Sequence, residues 1–438
     1  MKRLAINLLN KWKQKNDRKP LIIKGVRQCG KTYLMKEFGQ SEYEDVAYFN
    51  FEGNLALQER FSIDLDVKRI ITELGVLRGK VIVPGKTLLI FDEIQFCNAA
   101  LTSLKYFCEN APEYHIICAG SLLGIALSKP LSFPVGKVDF ITLKPMTFYE
   151  FLLAKGESML CEYVDMLPRK ERLSKMFADK LETLLREFYI TGGMPEVVEK
   201  WITTNDIEAV EEIQQKILDS YELDFAKHAP SKDFPKLTAI WQSIPEQLAK
   251  ENRKFVFSRV KKGLRAKDLE DALEWLISAG LAYKVNKIEK PFIPLSSYAD
   301  QTFFKLYLAD IGLLRKMAGV PAQIVYEKNP LYKEFKGAMT ENYVLCELIA
   351  MQEKPPFFWR SDNEAEVDFV MQLGKEIVPI EVKSEDNDKA KSLSVYRKKY
   401  NPAISIITEM DNISGNEVKK VPLYILWKLK QFVEGELI

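Results

Sequence analysis

The sequence predicts an α/β fold: an open parallel sheet that binds its ligand at the carboxyl ends of the strands, followed by helical and mixed α+β segments. Two observations carry the first part. The run Pro20-Leu21-Ile22-Ile23-Lys24 reads as a short buried strand and leads into Gly25-Val26-Arg27-Gln28-Cys29-Gly30-Lys31-Thr32, which fits G-x-x-x-x-G-K-[ST]. A second apolar run, Thr87-Leu88-Leu89-Ile90-Phe91, ends in Asp92-Glu93. The first pattern is a phosphate-binding loop. Gly25 and Gly30 let the backbone N–H groups turn toward phosphate oxygens, Lys31 reaches the β- and γ-phosphates, and the Thr32 hydroxyl is placed for Mg²⁺. The helix beginning at Lys31 adds the positive end of its dipole. Arg27 is a further phosphate partner or a solvated side chain. In the second pattern Asp92 serves the magnesium and Glu93 polarises the attacking water. Together the motifs imply ATP as ligand and Mg²⁺ as cofactor, with hydrolysis expected.

The remaining elements follow in order. Residues 1–17 read as an amphipathic helix that packs on the nucleotide domain, with Leu4, Ile6, Leu8, Leu9 and Trp12 among basic residues. After the phosphate loop, strands are expected at Val46–Phe51, Thr87–Phe91, Tyr114–Ala119 and Val138–Leu143, with helical patterns at Leu65–Leu77 and Asn98–Ala111. Strands that alternate with helices build a parallel sheet covered on both faces. Beyond Pro145 the pattern becomes helical at Phe148–Lys155, Glu171–Ile190 and Asp206–Ala226, broken at Gly192-Gly193-Met194-Pro195; this reads as a helical lid. Residues 234–290 read as a winged helix, with helices at Leu237–Glu251 and Ala266–Ala279, a basic turn at Ser258–Arg265 and a strand at Leu281–Ile288. The last part mixes strands with a helix at Met339–Gln352. The expected domains are therefore 1–146, 147–233, 234–300 and 301–438.

Composition narrows the classes. A chain of 438 residues suggests about three domains on a prior of roughly 150 residues each. Its net charge of +2 means that any basic surface is local. The six cysteines, at 29, 97, 108, 118, 161 and 346, form no C-x-x-C pair, which argues against a zinc site and a disulfide framework. With no apolar h-region before a cleavage site and no run of about 18 apolar residues, neither export nor membrane spanning is expected, and the reading is cytoplasmic.

The order of motifs resembles the bacterial and archaeal AAA-type ATPases that carry a C-terminal DUF4143 domain. The resemblance covers nearly the whole chain. It rests on Gly25–Thr32, Phe91-Asp92-Glu93-Ile94-Gln95, Ala119-Gly120-Ser121, Phe148-Tyr149-Glu150-Phe151, Gly192-Gly193-Met194-Pro195, Lys305-Leu306-Tyr307 and Asp310-Ile311-Gly312-Leu313. By this resemblance residues 1–146 are an AAA-type P-loop core and Ser121 is a polar sensor of the γ-phosphate, where many AAA proteins carry Asn. Gly136-Lys137 stands where many relatives read Gly-Arg. A lysine lacks the planar fork of arginine, so any push on a neighbouring subunit's nucleotide in a self-associated form is expected to be weaker.

The C-terminal segment holds Glu341, then Glu366-Val367-Asp368-Phe369-Val370, then Ile377-Val378-Pro379-Ile380-Glu381-Val382-Lys383. This resembles a PD-(D/E)-x-K nuclease core, a restriction-endonuclease-like α+β domain. Independently of that, a two-residue turn at Gly374-Lys375 puts Asp368 opposite Glu381, and Lys383 shares the face of Glu381 because strand side chains repeat every two residues. Facing carboxylates repel unless a cation lies between them. The expected arrangement is a divalent ion on Asp368 and Glu381, with Lys383 orienting water and Glu341 completing the shell. A charged outer face offset by Lys383 is the plainer alternative. Trp359-Arg360 stacks on a base or packs the hairpin.

Arg253, Lys254, Arg259, Lys261, Lys262, Arg265 and Lys267 cluster at the start of the second winged-helix helix, where a DNA backbone would be met. The same helix continues Asp268-Leu269-Glu270-Asp271, acids that repel phosphate. Three functions remain open: an ATP-driven switch that repositions its C-terminal module, with DNA a candidate partner; an ATP-gated, Mg²⁺-dependent nuclease in DNA processing or defence; and a low-turnover ATP-sensing regulator. Intact Glu93 favours the first over the third.

Overall fold

A computed structural model describes residues 1–120, 134–250, 253–327, 333–352, 354–361, 365–384 and 391–434. The chain divides into two compact units, one of residues 2–144 with 278–280, the other of residue 1, 145–277 and 281–438.

The first unit begins with α1 (Ile6–Lys13), which buries Leu9 and Trp12 and leaves Leu4 and Leu8 exposed. Trp12 packs against Phe38 and His115, as the amphipathic pattern requires. The sheet contains β1 (Leu21–Lys24), β2 (Asp45–Asn50), β3 (Thr87–Asp92), β4 (His115–Ala119) and β5 (Asp139–Thr142) in the order β2-β3-β4-β1-β5. Every neighbouring pair is parallel. Its helices are α2 (Lys31–Glu42), α3 (Leu55–Ile63), α4 (Val67–Arg78) and α5 (Asn98–Asn110). β3 is buried along its whole length, which is why it reads as an unbroken apolar run. Phe49, Phe51, Phe61 and Phe107 meet Phe91 edge-on and fix α3 and α5 on this face.

The second unit opens with the helices α6 (Phe148–Ala154), α7 (Ser158–Met166), α8 (Lys175–Thr191), α9 (Pro195–Thr204) and α10 (Ile207–His228). Next come α11 (Phe234–Leu248), α12 (Phe257–Val260) and α13 (Ala266–Ser278), then the hairpin of β6 (Ala282–Ile288) and β7 (Ala299–Leu308). The expected boundary at residue 300 falls at the start of β7, and the hairpin continues into the sheet of the C-terminal strands. α14 (Ile311–Met317), α15 (Ala322–Tyr326) and α16 (Lys333–Met351) precede β8 (Phe357–Arg360), β9 (Glu366–Leu373) and β10 (Glu376–Val382). α17 (Lys391–Tyr400), β11 (Ser405–Glu409), β12 (Val418–Pro422) and α18 (Leu429–Glu434) end the described chain. The seven-stranded sheet runs β12-β11-β10-β9-β8-β6-β7.

The motifs at Gly192-Gly193 and Asp310-Ile311-Gly312-Leu313 interlock. Asp310 Oδ2 accepts from Gly193 N at 2.6 Å and Oδ1 from Leu313 N at 2.9 Å. A Cβ on Gly192 would sit 2.2 Å from Asp310 Oδ1, and one on Gly312 would sit 2.4 Å from the Thr191 carbonyl. Both glycines are therefore required by close backbone approach. Phe148-Tyr149-Glu150-Phe151 begins a helix that Thr147 and Glu150 cap reciprocally, and Glu347 of α16 accepts from Phe148 N at 2.8 Å. Among the described residues no helix is long and apolar enough to cross a membrane.

Candidate functional site

The loop after β1 has the conformation its glycines demand. Gly25 at φ +151° and Gly30 at φ +90° lie where L-residues rarely go, and a Cβ on Gly25 would fall 2.1 Å from the Leu143 carbonyl. Lys31 is nearly buried and donates from Nζ to the carbonyls of Gly25, at 2.9 Å, and Val26, at 2.8 Å. Its ammonium is thus held inside the curl of the loop. Arg27 lies in the same turn and is half-buried.

β4 separates β1 from β3, yet the carboxyl ends of β1 and β3 bring their side chains together. Thr32 Oγ1 donates to Asp92 Oδ2 at 2.7 Å, and Tyr48 OH donates to the same oxygen at 2.9 Å. Burial, and then the Asp92 charge, push the Tyr48 phenol above its usual range, which keeps it a donor. Glu93 takes a left-handed backbone at φ +51°, a conformation that costs roughly 1–3 kcal/mol in a non-glycine residue and is found where function dictates geometry. Its Oε2 accepts from Gln95 Nε2 at 2.5 Å. A hydroxyl and a carboxylate within hydrogen-bonding distance are hard oxygen donors of the kind Mg²⁺ takes, with other positions left to phosphate and water. Ser121 lies outside the described residues. Lys137 pairs with Glu109 at 2.9 Å.

A second group forms at the C-terminal sheet. β9 and β10 pair in the expected register, Phe369 opposite Ile380 and Leu373 opposite Glu376, with Gly374 at φ +59° in the turn. The ladder ends one pair before Asp368 and Glu381. There Asp368 Oδ2 accepts from Val382 N at 2.7 Å, and Glu381 pairs with Lys383 at 2.9 Å. Glu341, fully buried on α16, accepts from Lys305 Nζ at 2.9 Å and from Tyr307 OH, and pairs with Arg253. Burial foremost, then Asp368, raises the Glu381 carboxyl to about 7 against the opposing pull of Lys383. The structure thus joins Lys383 to Glu381 and links Glu341 to Asp368 through Arg253. Among the described residues no group of three or more His, Cys, Asp or Glu that could hold a metal ion occurs.

Sequence pattern alone singles out no individual role for Lys305, Tyr307 or Glu366, and groups Arg253 with the basic turn. Lys305 and Tyr307 alternate on β7 and so share a face, a signal available in Lys305-Leu306-Tyr307. Trp359 is packed, edge-on to Tyr396 and Tyr400 with centroids 5.2 and 5.8 Å away. Lys254 sits over the Phe303 ring, whereas Arg259, Lys261, Lys262, Arg265 and Lys267 are exposed. Asp268 turns back to accept from Arg265 N at 2.9 Å at the start of α13.

Three family models match the chain: AAA domain over residues 17–152, a domain of unknown function (DUF8612) over 182–324, and a domain of unknown function (DUF4143) over 336–426. Uncharacterized proteins of Mycobacterium tuberculosis and Mycobacterium bovis are each 32% identical over 80 residues, 18% of this chain. The match spans 17% of the length of those relatives. Among solved structures, a Walker-type ATPase of Pyrococcus abyssi is similar at a TM-score of 0.44 and 14% identity, over 72% of this chain and 95% of that one. AMPPCP-bound DnaA from Aquifex aeolicus is similar at a TM-score of 0.27 and 18% identity, over 62% and 75% of the two chains. The Drosophila ORC bound to DNA gives a TM-score of 0.29 at 14% identity, over 72% and 94%.

Proposed function

Because the chain joins an AAA domain of the P-loop ATPase type to a C-terminal DUF4143 domain, we propose that it binds ATP with Mg²⁺ and hydrolyses it to change the state of its second unit. The observation that carries this reading is the convergence of Thr32 and Asp92, 60 residues apart and 2.7 Å from each other, with Lys31 held in the phosphate loop and Glu93 in a left-handed backbone. In the proposed site the loop N–H groups and Lys31 bind the β- and γ-phosphates, and Thr32 and Asp92 hold the metal. Mg²⁺, when bound, neutralises phosphate charge. Glu93 then orients and polarises a water toward the γ-phosphate, released from Gln95 as it does so, and Tyr48 keeps Asp92 aligned.

The exposed cations from Arg259 to Lys267 support DNA as the ligand whose binding this turnover controls. Asp268 is engaged with its own helix start, which leaves Glu270 and Asp271 as the acids of that segment. A Mg²⁺-dependent nuclease is not the favoured reading, since the carboxylates of the C-terminal group are already met by side-chain cations.

Calorimetric titration with ATP tests the proposal. Lys31→Ala is expected to abolish binding while leaving the circular dichroism unchanged; undiminished affinity would remove the assignment of the loop.

A further inference from the structure

Among the described residues, each carboxylate of the C-terminal group is paired with at least one cation of the chain itself. Glu341 meets Lys305, at 2.9 Å, and Arg253. Glu366 meets Lys305 at 2.6 Å and Arg360 at 3.6 Å. Asp368 lies 3.9 Å from Arg253, and Glu381 lies 2.9 Å from Lys383. Among the described residues these four acids face four bases, which leaves no net negative charge in the described group to draw in a divalent ion. Arg253 is the member that comes from farthest away in the fold, from the connection between α11 and α12, and it bridges the two acids Glu341 and Asp368.

Its place is built for it. Gly337 lies one helical turn before Glu341 on α16, and a Cβ there would sit 2.8 Å from Arg253 Nη2, so this glycine makes room for the guanidinium. The backbone just beyond is fastened on two sides, Phe255 N to the Phe304 carbonyl at 2.9 Å and Val256 N to Gln247 Oε1 at 2.6 Å. A planar guanidinium with several donors can span two carboxylates, which an ammonium cannot do equally well.

We propose that Arg253 is the resident cation of this group, occupying the position between Glu341 and Asp368 that a divalent ion would otherwise need, so that arginine and metal are mutually exclusive there. The group is then an anchor that ties the start of the basic segment to the C-terminal sheet, and it carries no metal chemistry in the native chain. This inference is independent of the ATPase reading, because the titration that tests it contains no nucleotide.

Mn²⁺ is titrated into the full-length, nucleotide-free protein and free ion is followed by electron paramagnetic resonance. Wild type and Asp368→Asn are expected to give the same binding curve. Arg253→Met is expected to gain one saturable Mn²⁺ site and a Tm that rises with Mn²⁺, because a ligand of the folded state alone raises stability. Both gains should vanish in Arg253→Met/Asp368→Asn, and Arg253→Lys should restore much of the wild-type behaviour. A wild-type Mn²⁺ site lost in Asp368→Asn would overturn the proposal, as would a folded Arg253→Met that binds no additional ion. If Arg253→Met does not fold, the comparison of wild type with Asp368→Asn decides.

Discussion

Replacing Asp310 by Ala should loosen the junction between the end of α8 and the start of α14, and the structure sets the size of the effect. Asp310 is nearly buried, and its two oxygens accept from Gly193 N at 2.6 Å and Leu313 N at 2.9 Å. Without them two buried N–H groups lose their partners, at about 1–3 kcal/mol each, so the expected loss is about 2–6 kcal/mol for the second unit. Water entering the vacated space would bring the value to the lower end. The dependence on pH gives a second reading of the same residue. Burial raises the Asp310 carboxyl to about 6, against an ordinary value of 3.8, with its backbone N–H donors opposing. Between these values the unfolded chain has released its proton and the folded chain has kept it. Asp310 therefore contributes stability that is fully present below pH 3.8 and is lost as pH rises to about 6. The destabilisation caused by Asp310→Ala should accordingly be larger at pH 5 than at pH 7.5. Urea unfolding followed by tryptophan fluorescence at both pH values measures it. A loss below about 1 kcal/mol at both, or one that grows toward alkaline pH, would mean that Asp310 does not hold these two N–H groups as a buried, proton-retaining acid.

Glu347→Gln keeps an oxygen for Phe148 N and removes a buried charge whose carboxyl burial has raised to about 7. The variant should melt higher than wild type at pH 8 and show little advantage at pH 5; a lower Tm at pH 8 would show that Phe148 needs the charged acceptor. For the basic turn, Lys261→Ala/Lys262→Ala/Arg265→Ala should weaken binding to duplex DNA and reduce the log–log salt slope by roughly one unit per phosphate contact removed. Equal affinity across a salt series would assign these exposed cations to solvent.

Local pattern carried much of the architecture. The phosphate loop and the β3 acids are legible because both sit at the ends of strands whose burial makes them continuous apolar runs. The β9–β10 register is legible because a two-residue turn fixes every pair after it, from Glu376 opposite Leu373 to Ile380 opposite Phe369. What the hairpin could not reveal was the counter-charge. Lys305 and Tyr307 are brought to Glu341 by strand order, and Arg253 by a connection between helices, over separations that periodicity does not encode. The Asp310 interlock was visible as glycines at fixed places but not as a contact, since its partners lie 117 residues apart. Tyr48 and Gln95 are not legible for a different reason: each is an ordinary strand or turn residue until Asp92 and Glu93 stand beside it.

In the proposed site Glu93 activates water while Lys31, Thr32 and Asp92 bind MgATP. A single-turnover assay with radiolabelled ATP, run on wild type and Glu93→Gln with retained nucleotide measured by filter binding, tests it most directly. Wild type should release ADP and phosphate, and Glu93→Gln should bind ATP comparably, since Thr32 and Asp92 are intact, and retain it uncleaved. Equal phosphate release by the two proteins would show that a group other than Glu93 activates the water.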